Sequence, residues 1–167
     1  MPSPMTGAAS LFSLGILAPA LLYAAWGDWL RRDIPNKLNA AIALTAPLYW
    51  WAAGFSLWPN VAIIVGLALV LFILFTFAFA IGAMGGGDVK MIGAIALWMT
   101  PMQLPVMLFV MALAGGIITV AMMIHHRIAK ESEKPEIPYG IAIAIGGLWA
   151  LLWGLMNGIL TNGTVSP

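Results

Sequence analysis

Two aspartates carry the chemistry this chain can do. Asp88 follows three glycines in Gly85-Gly86-Gly87-Asp88-Val89-Lys90, and Asp28 closes an apolar stretch before Arg31-Arg32-Asp33-Ile34-Pro35-Asn36. A carboxylate beside a membrane segment is costly, which makes each a functional candidate. Two carboxylates within a few ångströms do not both ionise easily, so one keeps a proton. Such a pair can hold a water, the ionised member acting as general base while the protonated member donates to a carbonyl oxygen. That is peptide hydrolysis without a metal or a covalent intermediate. Taken singly, each aspartate also fits a solvated charge at a helix end. The three glycines leave the backbone open for another chain to lie beside Asp88.

The other polar residues offer less. Asp33 reads as a solvated loop charge next to Arg31 and Arg32. Lys90 fits either a group that attracts a substrate carboxylate or tunes Asp88, or a charge that orients the chain in the membrane. His125 and His126 are adjacent and face different sides of a helix, so they do not suggest a metal site. Glu131, Glu133 and Glu136 read as a solvated loop with Lys130 and Lys134, and Asn162-Gly163-Thr164 as a chance sequon. Gly115-Gly116 suits close helix packing.

The elements that must hold the aspartates are membrane helices. The 167 residues are 62% hydrophobic and 8% charged, with mean hydropathy +1.00. A soluble domain of this size does not cover its surface with so little charge. The expectation is one all-α domain over residues 1–167, a polytopic membrane bundle of about six transmembrane helices. A net charge of +1 implies no attraction to nucleic acid. The absence of cysteine removes disulfides, thiolate metal sites and cysteine nucleophiles. Met1 to Ser10 lacks a basic n-region, so the first apolar stretch is expected to be retained.

All charges fall in three zones, Asp28 to Lys37, Asp88 to Lys90 and Arg127 to Glu136, each containing Lys or Arg. The positive-inside rule puts all three in the cytoplasm. The spans then run over about Leu11–Trp29, Leu38–Ala53, Val61–Ala83, Val89–Met99, Val106–Ile124 and Tyr139–Asn157, with span four short and the C-terminus outside. Uncharged turns at Gly54–Asn60 and Thr100–Pro105 face the other side. Tyr49, Trp50, Trp51, Trp58 and Trp98 are expected in one aromatic belt, and Trp26 and Trp29 in the other.

The motifs resemble a known family. Gly85-Gly86-Gly87-Asp88 fits the GxGD of membrane aspartyl proteases, and with Lys90 it is similar to the GxGDxK of type IV prepilin peptidases. Asp28 before Ile34-Pro35-Asn36 resembles that family's first-aspartate motif. Ile137-Pro138-Tyr139-Gly140 resembles its late Pro-aromatic-Gly. The three come in family order and the resemblance covers about residues 9 to 155. The small size is similar to the short peptidases of Tad/Flp pili. Bifunctional members carry a cysteine-bound zinc segment linked to N-methylation, which a chain without cysteine does not match. The presenilin group also uses GxGD, but its Pro-Ala-Leu follows the motif, whereas Pro19-Ala20-Leu21 precedes both aspartates.

The resemblance implies an aspartic endopeptidase in the bacterial inner membrane, with its site at the cytoplasmic face and no cofactor or metal. The substrate it implies is a Flp-like prepilin, cut after a glycine before its apolar helix. Asp28 and Asp88 would be catalytic. Gly85, Gly86, Gly87, Lys90, Pro35, Asn36, Pro138, Tyr139 and Gly140 would support them or bind substrate. A small proton-coupled transporter or channel, with the aspartates as a relay, is the alternative. It sits badly with the lack of ionisable residues deep in the spans. Within the pair, Asp88 is expected to be the more acidic, because it precedes a helix and has Lys90 nearby. Asp28, at the C-terminal end of its span, is expected to hold the proton.

Overall fold

A computed structural model describes residues 7–129 and 137–163, with side chains described over 9–129 and 137–158. The acidic loop containing Glu131, Glu133 and Glu136, and the sequon at Asn162 to Thr164, lie outside the described side chains. Six helices follow one another: α1 (Gly7–Arg31), α2 (Asn36–Ala52), α3 (Ala62–Ala80), α4 (Gly86–Ala96), α5 (Gln103–Ala129) and α6 (Tyr139–Gly163). The fold is an all-α polytopic membrane bundle.

Among the described residues, four segments are long and apolar enough to cross a bilayer: Ala9–Arg31, Leu57–Ala80, Gln103–Ala129 and Tyr139–Gly158. Helix α2 has 17 residues. Helix α4 has only 11, about 16 Å at about 1.5 Å per residue, about half a bilayer core. The short fourth span of the sequence reading is thus an interior helix. Val89, Met91, Ile92, Ala94, Ile95 and Ala96 on it are buried, and it packs on α2, α3 and α6. The remaining neighbours are α1 on α2 and α6, and α5 on α6.

Short connections make the helices alternate in direction. One end of the bundle therefore gathers the end of α1, the start of α2, the end of α3 and the starts of α4 and α6. The opposite end holds the turns after α2 and α4. Gly54 takes φ +67° there, the left-handed conformation that ends helices at glycine. The turn expected over Gly54–Asn60 is shorter. The segment Leu57–Val61 leads into α3 through a kink at Trp58, whose backbone is extended (φ −127°, ψ 129°), as a residue before proline prefers, and the missing N–H of Pro59 costs little there.

The aromatic residues divide in a way their type did not reveal. Trp26, Trp29, Trp51 and Trp58 are exposed, as belts require. Tyr49 and Trp98 are fully buried instead and stack with ring centroids 5.3 Å apart. The Trp98 indole donates to the Ile42 carbonyl at 2.8 Å. The Trp50 indole donates to the Leu97 carbonyl at 2.8 Å. These bonds moor α4 to α2 at the end away from the aspartates.

Candidate active site

Helix α4 begins at Gly85, its N-cap residue, whose backbone is extended (φ −72°, ψ 146°). Its first helical bond runs from the Val89 amide to the Gly85 carbonyl at 3.3 Å. Asp88 is then the third helical residue. Its carboxylate turns back toward the Gly85 amide, as the acidic member of a capping box does. This explains why glycine stands at 85. A Cβ there would lie 2.9 Å from Asp88 Oδ2.

Asp28 lies one turn before the end of α1. Its carbonyl accepts from the Arg32 amide at 3.0 Å, and Arg32 takes φ +54° as the chain leaves the helix. The carboxylate meets the start of another helix, where the Gly140 and Ile141 amides of α6 face it. Oδ2 is buried and makes no hydrogen bond of regular geometry. A Cβ on Gly140 would stand 2.9 Å from that oxygen and 2.8 Å from Ile34 Cδ1. Only glycine lets α6 begin this close to Asp28.

Ile34 is where the three sequence motifs meet. It is buried, touches Gly140, and lies 3.4 Å from where a Cβ on Gly87 would be. Pro35 caps α2, its carbonyl accepting from the Leu38 and Asn39 amides. From that first turn, Asn36 Oδ1 accepts from Lys90 Nζ at 2.8 Å. About one turn on, Asn39 Nδ2 donates to the Gly87 carbonyl at 3.1 Å. Sequence reasoning missed Asn39. The signal was there, since an asparagine inside an apolar span is costly without a partner. Lys90 is exposed and engaged with Asn36, so it does not read as a bare topogenic charge.

Asp28 and Asp88, 6% and 8% exposed, line one cavity of about 540 Å³ together with Arg32, Asp33, Ile34, Gly85 to Gly87 and Tyr139. Pro138 is fully buried behind it, and Gly86 packs against Phe79. Asp33 is exposed at the rim. His125 is exposed on α5, and no cluster of three metal-ligating side chains occurs among the described residues. Pro19 to Leu21 lie inside α1, with Leu21 in the core.

The expectation that the start of α4 holds Asp88 acidic is not met. Burial first, and then the charge of Asp28, push the Asp88 carboxyl up to about 7; the Gly85 amide only partly offsets them. The helix N-terminus was expected to keep Asp88 acidic, but desolvation outweighs it. Asp28, near the end of α1, faces the Gly140 and Ile141 amides at the start of α6 and the charge of Arg32, a juxtaposition that exists only in the folded bundle.

Comparison with known proteins agrees with the motifs. The chain is 36% identical over 132 residues to a prepilin leader peptidase/N-methyltransferase of Aeromonas salmonicida, 71% of this chain and 43% of that protein. The protein of the same name in Aeromonas hydrophila is 35% identical over 142 residues, 76% of this chain and 47% of its own length. That of Legionella pneumophila is 38% identical over 89 residues, 53% of this chain and 30% of its length. The chain thus spans less than half the length of each of these relatives. No solved structure gives a significant match. The model of the Type IV leader peptidase family matches residues 15–120, a stretch that takes in both aspartates and well over half of the chain. The chain belongs to the type IV leader peptidase family.

Proposed function

We propose that the chain is a single-domain aspartic endopeptidase that removes the short cytoplasmic leader of Flp-like prepilins, cutting after a glycine just before the apolar helix. The observation that carries this reading is the shared cavity of Asp28 and Asp88, reached from the end of α1 and the start of α4. A water between them would lose a proton to Asp28 and attack the scissile carbonyl carbon. Asp88, the protonated member, would donate to the carbonyl oxygen. As the resulting gem-diol collapses, one hydroxyl returns its proton to Asp88 while the carbonyl re-forms, the C–N bond breaks, and Asp28 gives its proton to the leaving amine nitrogen. Gly85 to Gly87 would let the substrate backbone lie against Asp88. Asn36, Asn39 and Lys90 would hold the start of α4 in place, while Pro138, Tyr139 and Gly140 bring α6 to Asp28. The charged end of the bundle would face the cytoplasm of a bacterial inner membrane. Only the peptidase half of the relatives' activity is proposed, because the chain has no cysteine.

A proton relay is less well supported. Asp28 and Asp88 are the only buried charged residues among those described, and they line one cavity at one end of the bundle. Co-expression with a prepilin distinguishes the two readings. The shortened product is expected with the intact chain. Its absence, with both proteins present in the membrane, overturns the proposal.

A further inference from the structure

Two apolar grooves open on the sides of the bundle, and they differ in how they relate to the aspartates. The larger, about 510 Å³, runs between α2, α3 and α4 and is lined by residues such as Ala40, Ala43, Leu69 and Phe72, with Asn36, Asn39 and Lys90 at one end. It shares no lining residue with the aspartate cavity. The smaller, about 380 Å³, lies on α5 and α6 and is lined by Met111, Ala112, Gly116, Val120 and Ile143. Met84 and Tyr139 line both it and the aspartate cavity, so the two spaces adjoin.

We propose that the groove on α5 and α6 receives the apolar residues that immediately follow the scissile bond of the substrate. This inference rests on the peptidase reading and adds where the substrate lies. A prepilin changes abruptly from a polar leader to an apolar helix at the cut. The site makes the same change across Met84 and Tyr139, from two aspartates and Arg32 to a wall of apolar side chains. The wall suits a close-lying chain. Gly116 is exposed with nothing within 4 Å of where its Cβ would be, and small residues let a helix backbone approach. Met84 and Met111 can fit side chains of varied shape. Apart from Tyr139 at the junction, the hydroxyl in the wall is that of Thr119, which donates back to the Gly115 carbonyl at 2.7 Å and so turns its polarity into the helix. Along α5, Val120, Met123, Ile124 and Ile128 continue the exposed apolar surface.

Filling each groove in turn tests the proposal. Gly116→Leu adds a side chain where space is open and replaces a helical glycine with a better helix former. Ala40→Leu likewise adds bulk to the groove on α2, α3 and α4, at a position that is already a good helix former. With a membrane-borne prepilin, Gly116→Leu is expected to raise KM by about tenfold or more with kcat nearly unchanged, and Ala40→Leu to leave both as they were. A rise in KM from Ala40→Leu alone, or a loss of kcat without a change in KM in Gly116→Leu, overturns the assignment. A second measurement does not need catalysis. A photo-activated cross-linker placed at position 116 or 40 of the Asp88→Asn chain is expected to capture the prepilin's apolar segment from 116 and not from 40. Capture from 40 alone, or from neither, overturns the groove. Capture from 116 of a prepilin that the intact chain fails to cut supports the groove and removes the peptidase reading.

Discussion

The start of α4 and the turn that leads into α5 share one arrangement and differ in one respect. Before α5 the Leu104 amide bonds to the Thr100 carbonyl at 3.1 Å. Gln103 Oε1 accepts from the Thr100 amide at 3.0 Å, and Thr100 Oγ1 accepts from the Gln103 amide at 3.3 Å. The box is reciprocal, and the amide nitrogen of Gln103 also reaches the Ala150 carbonyl of α6 at 3.3 Å. At α4 the acid reaches back to Gly85, but glycine has no side chain to return the bond. One start is sealed by its own residues. The other leaves capacity on the Asp88 carboxyl, facing Asp28 across a cavity. A polar network that is fully paired specifies a structure. A buried one left partly unpaired costs stability, and function is the usual reason it persists.

The largest effect should come from removing either acid. Asp28→Asn and Asp88→Asn are each expected to lower prepilin cleavage by about 10³-fold or more, and the double variant by little more, because the pair acts as a unit. The chains should remain inserted and abundant. Asp33→Asn should keep most activity. An inactive Asp33→Asn beside an active Asp28→Asn would reassign the first acid.

The second effect is on stability and depends on pH. The Asp88 carboxyl is raised from 3.8 to about 7, so the folded chain binds a proton there that the unfolded chain has released. Stability from this group is therefore full below about pH 4 and is lost as pH rises toward about 7. Asp88→Asn does not titrate. Its melting temperature should match the parent at about pH 4 and exceed it at about pH 8, with a ceiling near 4 kcal/mol at about 1.36 kcal/mol per pK unit. Equal melting temperatures at both values would mean that Asp88 is not held protonated. In Asp28→Asn, the Asp88 pKa should fall below about 7 yet stay above the ordinary carboxylate range, since burial is the larger cause. Infrared titration of the carboxyl band measures this.

A smaller effect tests the contrast directly. Gly85→Ala places a methyl against Asp88 Oδ2 and should cost about a hundredfold in kcat, the scale of an ångström's misplacement at a reacting group. Stability should change little. Unchanged cleavage would show that the open N-cap is unnecessary. The matching change at the sealed start should do the reverse. Gln103→Ala is expected to destabilise by about 1–2 kcal/mol and leave the activity of each folded molecule unaltered. A fall in that activity would mean the two helix starts are coupled through α6.

The sequence made the aspartates and the glycines legible for a physical reason. Charge and flexible backbone are expensive in an apolar chain, so their few occurrences stand out. The six helices followed from the same contrast. What stayed hidden depends on contacts between distant segments. No local pattern says that α6 begins against Asp28 or that burial raises the Asp88 carboxyl, so the pair was read from its own helix ends and from Lys90. Tyr49 and Trp98 were placed in a belt because residue type alone does not separate an interfacial ring from a stacked core ring. Two signals were present but unused. Thr100 and Gln103 have capping-box spacing, and Asn36 and Asn39 share one helix face, as residues three apart do.

The shortness of α4 sets the depth of the site by different means from those that set its neighbours. A long apolar helix finds its level by matching its length to the lipid, tilting or straining the bilayer when the two disagree. Helix α4 has no such match to make. Its far end stops inside the protein, held by the indoles of Trp50 and Trp98, and its near end is tied to Asn36 and Asn39. Asp88 therefore keeps its place beside α2 by contacts within the protein, not by a match of its own helix to the thickness of the membrane. Asp28, on the long helix α1, is the member of the pair whose helix meets the lipid directly.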